Sequence, residues 1–169
     1  MTRFFISGFY GQNNLGDDLL MRATMQGIRK ICPSAVIVVR PTSLDRIQSD
    51  QTKSKAGRFV STLAAYRRCL RKCDWLVFGG GTVFHNATLP MLLTLSICVL
   101  ARLMGVRIAA IGVGVSDLSS SIARLALRGI VGTSDLFAVR DDRAFWQCKK
   151  VKANAVLTSD LAFSLGDFL

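Results

Sequence analysis

Short apolar runs alternate with helix-length segments along the whole chain. The runs fall at residues 4–7, 35–39, 75–78, 107–111, 136–139 and 155–157, each bounded by polar or glycine-bearing sequence. Runs this short and continuously apolar are typical of strands buried on both faces, as in a parallel sheet. The spacing between them predicts helices over residues 17–31, 59–72, 89–104 and 119–131. Asp17 and Asp18 suit the start of the first helix, where carboxylates meet unpaired backbone N–H groups and the positive end of the dipole. Its buried stripe is drawn through Leu20, Ala23, Gly27 and Ile31, with Leu19 and Ile28 at the margin and Thr24 outside. The second helix has Val60, Leu63, Ala64 and Leu70 on its apolar side and basic residues elsewhere. Residues 41–57 are polar and without period, which predicts a mobile loop. Regular β-α alternation predicts an α/β fold, a doubly wound and mainly parallel sheet.

Composition narrows the class. The chain has 169 residues, half of them apolar and a fifth charged, which suits one domain and excludes a disordered chain or a two-domain enzyme. Its 14 Gly and 3 Pro follow no fixed period, so collagen-like and low-complexity classes are excluded as well. Charge adds a sign: 22 Lys and Arg stand against 11 acids, all Asp, for a net +11. Such a field draws anions without naming which. A nucleic-acid module would add a recognition motif or clustered aromatics, and none occurs, so no nucleic-acid partner is expected and most of the charge reads as solvated surface.

Five Cys without repeating spacing predict reduced thiols. Cys69 and Cys73 can share a helical face, but with His85 as the single His and no second Cys pair, no metal is expected. Residues 89–104 are interrupted by Arg102 and are too short to span a bilayer, so they read as a buried or interface helix. Residues 1–8 are too short an apolar start for a secretory signal, and the expected location is cytoplasmic.

In open α/β sheets the ligand lies beyond the carboxyl ends of the strands. Residues 8–17, 79–81, 112–114, 140–142 and 158–160 all fall there, three of these stretches rich in glycine. Neither 8–17 nor 112–117 spells the G-x-G-x-x-G dinucleotide fingerprint, and there is no Walker lysine. Two readings stand for each feature. Gly79, Gly80 and Gly81 make either a binding edge or a close helix-strand contact; Arg140 beside Asp141 makes either an anion anchor or a structural ion pair. His85 is either an acid-base group or a hydrogen-bonded structural residue. Arg140 is the cation chosen from the rim, because its planar fork matches carboxylate or phosphate.

The strings GFYGQNNLGDDLL, CDWLVFGGGTVFHN, GVRIAAIGVGV, DLFAVRDDRAF and VLTSDLAFSL resemble, in order and spacing, the polysaccharide pyruvyl transferase family. The resemblance runs over nearly the whole chain. It implies transfer of a pyruvyl group from phosphoenolpyruvate to a sugar of a cell-surface glycan, with phosphoenolpyruvate as donor substrate and no cofactor. It implies a Rossmann-like fold like the first domain of a GT-B-type enzyme. Residues 1–169 would then be one domain, the amino-terminal half, with the second domain absent. By the same resemblance Tyr10, Gln12, Asn13, Asn14 and Asp17 lie in the first-strand loop of the cleft, Gly79, Gly80 and Gly81 form another wall, and Arg140 binds the anion with Asp141 orienting it. Asp17 and Arg140 are the candidate catalytic residues, and Asp160 marks the end of the domain. The acceptor is expected to be a glycan or a lipid-linked saccharide, with room left for peripheral contact at the inner face of the membrane and for a homo-oligomer. The chain departs from the family pattern at Asp18, where Glu is usual, at Asn86, where Asp is common, and at 112–117, which lack the final Gly and Pro. Two other readings remain: a non-catalytic or partner-dependent domain that binds glycan or anion, and a nucleotide-sugar glycosyltransferase domain.

Overall fold

The computed structural model describes residues 1–8, 10, 14–41 and 54–163. In chain order the elements are β1 (Arg3–Gly8), α1 (Leu15–Ile31), β2 (Val36–Pro41), α2 (Lys55–Leu70), β3 (Trp75–Gly79), α3 (Thr88–Leu103), β4 (Arg107–Val113), α4 (Ser121–Thr133), β5 (Leu136–Val139), α5 (Asp142–Lys150) and β6 (Val156–Leu157). The strands form one six-stranded sheet in the order β2-β1-β3-β4-β5-β6, every neighbouring pair parallel. The α/β expectation holds, and the switch point of the doubly wound order lies between β1 and β3.

From β1 the chain steps once toward β2 and thereafter always the other way. With crossovers of one hand, α1 then lies on one face of the sheet and α2 to α5 on the other. The apolar residues divide accordingly. Ile6, Val77 and Tyr10 cluster with Ile28 of α1, while Phe5, Leu76, Phe78 and Ile108 of the sheet join Leu127 and Ile130 of α4 in the larger core on the other face. Aspartates pin the opposite, amino-terminal edge: Asp74 accepts a hydrogen bond from Arg3 N at 2.7 Å, and Asp135 accepts one from Ile108 N at 2.7 Å. Each carboxylate satisfies a backbone donor at the start of the neighbouring strand.

The helix faces differ from those drawn by hydrophobicity. On α1 the buried residues are Leu20, Ala23, Thr24 and Ile28, whereas Gly27 is exposed and Ile31 is 89% exposed. Thr24 can be buried because its hydroxyl donates to Leu20 O at 2.8 Å within the helix. On α2 the buried line is Thr62, Tyr66 and Leu70, while Val60 and Ala64 are exposed. Thr62 Oγ1 donates to Arg58 O at 2.9 Å, and the Tyr66 hydroxyl is 2.6 Å from that of Ser7 on β1. In both helices polar side chains with internal partners took positions that an apolar count assigns elsewhere.

The expected loop over residues 41–57 is corrected at both ends: Pro41 closes β2, Ser54 caps α2, and 55–57 are helical. Residues 42–53 lie outside the described residues. Helix α5 lies outside the helices that the apolar spacing predicts. It has only nine residues, and its buried face combines Ala144 and Cys148 with Gln147, whose amide donates to Asp117 Oδ1; Asp142 at its start and Lys149 and Lys150 at its end complement its dipole.

Equilibrium urea unfolding distinguishes the two versions of the α1 face. Ile28→Ala is expected to cost about 2–4 kcal/mol as a buried cavity mutant. Ile31→Ser is expected to stay within about 0.5 kcal/mol of the parent, as an exposed substitution does.

Candidate active site at the carboxyl edge of the sheet

Helix α1 begins directly over the carboxyl end of β3. Asn14 caps it, its Oδ1 accepting from Gly16 N at 3.1 Å, and its Nδ2 donates to Asp17 Oδ2 at 2.7 Å. The glycines after β3 receive this helix. A Cβ at Gly79 would lie 2.4 Å from Thr24 Oγ1, one at Gly80 would lie 2.7 Å from Leu20 Cβ, and one at Gly81 would lie 3.0 Å from Asp17 Oδ1. Gly80 and Gly81 also have φ of 64° and 71°, a region that side chains disfavour. The close helix-strand contact, one of the two readings of these glycines, is therefore present, and it is what brings the Asp17 carboxyl onto the rim. The Tyr10 hydroxyl donates to Gly79 O, and its burial pushes the phenol pKa up.

Burial also raises the pKa of Asp17, more than the hydrogen bond from Asn14 lowers it; Asp18 adds to the rise, and Arg140 is near enough to draw it back down. Arg140 leaves the end of β5 and lies flat on Gly114, where a Cβ would be 3.1 Å from its Nε. Its guanidinium makes three contacts: Nε to Asp141 Oδ2 at 3.3 Å, Nη1 to Asp160 Oδ2 at 3.3 Å, and Nη2 to Thr82 Oγ1 at 3.0 Å. The ion-pair reading of Arg140 and Asp141 is thus realised, with Asp160 as a second acidic partner. Asp141 works twice, since its Oδ1 accepts from Ala144 N at 2.7 Å as the cap of α5. Arg140 remains 26% exposed, so an anion can reach it but must share or displace a carboxylate.

Two residues that join the rim were not singled out as part of the site. Thr82 ties the loop after β3 to Arg140, and its position directly after the triple glycine was the available signal. Asn86 spans two loops, its Oδ1 accepting from Ser119 N and Ser120 N at 3.1 Å each, so the amide does there what two backbone acceptors would. Strand-like pairing of Phe84 with Val115 stitches the same loops together. His85 lies beside this bridge, its carbonyl accepting from Ala87 N at 2.7 Å. Gln12 and Asn13 lie outside the described residues. Tyr10, Asn14, Asp17, Gly79, Gly80, Gly81, Arg140 and Asp141 all lie at this one edge. An open groove of about 510 Å³ lies at the opposite edge, between the end of α4 and the start of β6, and none of these residues lines it.

Two measurements test this construction. Gly80→Ala, which adds steric overlap to left-handed strain, is expected to destabilise by about 2–4 kcal/mol, whereas Gly105→Ala, at φ of 74° with nothing within 4 Å, carries only the strain of about 1–2 kcal/mol. For Asp17 the sign follows from its raised pKa: the folded state binds the proton more tightly, so stability falls as pH rises through and above the ordinary value of 3.8. Asp17→Asn is expected to raise the unfolding midpoint at pH 7 and to leave it nearly unchanged at pH 3.

The family model described as polysaccharide pyruvyl transferase matches residues 14–169. Tyr10 precedes the matched region, and Asp17, the triple glycine, Arg140 and Asp141 fall inside it. No curated protein matched the chain. Among solved structures, the crystal structure of a conserved protein from Enterococcus faecalis V583 is similar at 13% identity and a TM-score of 0.41, over 98% of this chain and 96% of that one, a likeness too slight to bear on function. A family match that takes in nearly the whole chain, including the rim built around Asp17 and Arg140, means that the chain belongs to the polysaccharide pyruvyl transferase family.

Proposed function

We propose that this protein transfers the pyruvyl group of phosphoenolpyruvate to a sugar of a glycan or lipid-linked saccharide, at the carboxyl edge of the sheet. The observation that carries the proposal is the Arg140 guanidinium, pre-oriented by Thr82, Asp141 and Asp160 and still partly open to solvent. A planar cation fixed in this way suits a donor that bears both a carboxylate and a phosphate. In the reaction, one sugar hydroxyl adds to the central carbon of phosphoenolpyruvate and gives up its proton to the site while a proton is delivered to the methylene carbon, which becomes a methyl group, so no net proton is consumed. The second hydroxyl then closes the ketal, losing its proton as phosphate leaves. Phosphate is already a good leaving group, so the donor supplies its own activation and no further cofactor is needed.

Asp17 is the proton-holding group in this reading. Its partial burial raises its pKa while Arg140 acts to lower it, and the pair lie within electrostatic range of each other on the rim, where a proton donor and an anion anchor are both needed. In this reading Gln12, Asn13 and Asn14 bind the donor, as the family resemblance implies, while the buried Tyr10 and Gly79 to Gly81 seat α1 against the end of β3 and so hold Asp17 on the rim. In this reading a second domain, in the same chain or from a partner, closes the cleft over the rim, the arrangement that the family resemblance implies. The enzyme works in the cytoplasm, where phosphoenolpyruvate is made.

Turnover is measured as phosphate released from phosphoenolpyruvate in the presence of saccharide acceptors, with the ketal identified by mass. Arg140→Ala is expected to lose at least ~10-fold in turnover, about 1.4 kcal/mol of transition-state stabilisation. Arg140→Lys is expected not to restore it, since a point charge lacks the fork. Near-normal turnover of Arg140→Ala removes that residue from the mechanism. Anion binding without turnover favours a non-catalytic domain, and consumption of a nucleotide-diphosphate sugar instead of phosphoenolpyruvate favours a glycosyltransferase.

A further inference from the structure

Helices α2, α3 and α4 lie side by side on one face of the sheet, and none of them carries an acidic residue. All the described aspartates lie elsewhere: at the starts of α1 and α5, in the rim loops, or on the amino edge beside β3 and β5. The outward side of this helical layer has a definite pattern. Along α3, Leu89, Leu92, Val99 and Leu103 are exposed at intervals of three, seven and four residues, which keeps them on a single ridge of a helix. Ser96 continues that ridge, and its hydroxyl is turned back to Leu92 O at 2.8 Å, so it presents mainly its methylene. A helix of 16 residues makes this ridge about 24 Å long.

Basic residues flank the ridge on both sides. On α4, Arg124 and Arg128 are exposed beside Leu125, itself 70% exposed. On α2 and its cap, Arg67, Arg68 and Arg71 are exposed on the side that carries Val60. Arg102, at the end of α3, is engaged by Asp135 at 3.1 Å and contributes little free charge.

We infer that this face docks on an anionic lipid bilayer, with the α3 ridge entering the interface and the arginines of α2 and α4 meeting lipid phosphates on either side. Aliphatic side chains in line between two cationic borders, with no acid among them, form the combination that binds such an interface. A second copy of the chain is a poorer occupant, because ridge-to-ridge pairing would bring like-charged borders together. Nucleic acid is poorer again, since it would leave an aliphatic centre against phosphates. Docking is peripheral: among the described residues no helix is long and apolar enough to cross a membrane. The inference is independent of the reaction proposed above.

Flotation with phosphatidylcholine vesicles, with and without phosphatidylglycerol, tests it on the intact protein. Wild type is expected to float only with the anionic vesicles. Arg124→Glu combined with Arg128→Glu is expected to weaken partitioning at least ~10-fold. Leu103→Glu combined with Leu125→Glu, both at exposed positions, should do likewise, with unchanged thermal melting in each case. Arg22→Glu combined with Arg29→Glu removes the same charge from α1, on the opposite face of the sheet, and should leave binding within ~2-fold of wild type. The inference is overturned if the α1 pair weakens binding as much as the α4 pair, since net charge alone would then be responsible. It is equally overturned if wild type ignores anionic vesicles, or if the leucine pair leaves vesicle binding intact while abolishing a dimer.

Discussion

The carboxyl edge depends on backbone left bare of side chains. At Gly79, Gly80, Gly81 and Gly114 the strands end without a Cβ, and each position is met closely by a side chain: Thr24, Leu20, Asp17 and Arg140 respectively. Sheet and helix approach to a distance that any larger residue would enforce otherwise. The consequence reaches beyond packing. Because α1 sits this low on β3, its first-turn carboxyl is on the rim and partly desolvated, and because Gly114 is bare, Arg140 can lie across β4 toward Thr82 and still reach Asp160. A cation and an acid from opposite ends of the chain are thus brought within electrostatic range by four missing side chains.

Charge is partitioned as sharply as shape. The net +11 is not spread evenly, because aspartates are used where a backbone donor or an arginine needs a partner: Asp74 and Asp135 on strand-start amides, Asp141 on the α5 amides, and Asp141 and Asp160 on Arg140. Each such carboxylate replaces water around a fixed group rather than decorating the surface. What remains is an acid-free surface across α2, α3 and α4 on one side of the sheet. The carboxyl edge and the basic face are therefore separate surfaces, and an occupant of one need not block the other.

Much of this architecture was written in the chain in readable form. The strand positions and the parallel α/β class follow from the lengths of the apolar runs, because a strand buried on both faces tolerates no polar residue along its middle. The rim was legible too, since glycine stretches and Arg140-Asp141 fall at strand ends. Legibility fails where hydrogen bonding, within the helix at Thr24 and Thr62 and across the fold at Tyr66, offsets polarity. Thr24, Thr62 and Tyr66 are buried because their hydroxyls are satisfied, and Ile31, more apolar than any of them, is left in solvent. Helix α5 is obscured by its nine-residue length and by Gln147, a polar side chain on its inner face whose amide donates to Asp117 of a distant loop.

By itself, then, the sequence determined the class of fold, the family, and the fall of Asp17 and Arg140 at the carboxyl edge of the sheet, since each of these is carried by residue type and spacing along the chain. Only the tertiary structure decided whom those residues touch. That Arg140 is shared among Thr82, Asp141 and Asp160 depends on separations of up to 58 residues. That three helices far apart in the chain make one acid-free face depends on strand order. Neither is encoded locally, because partners brought together by a sheet leave no periodic trace in the segments that meet.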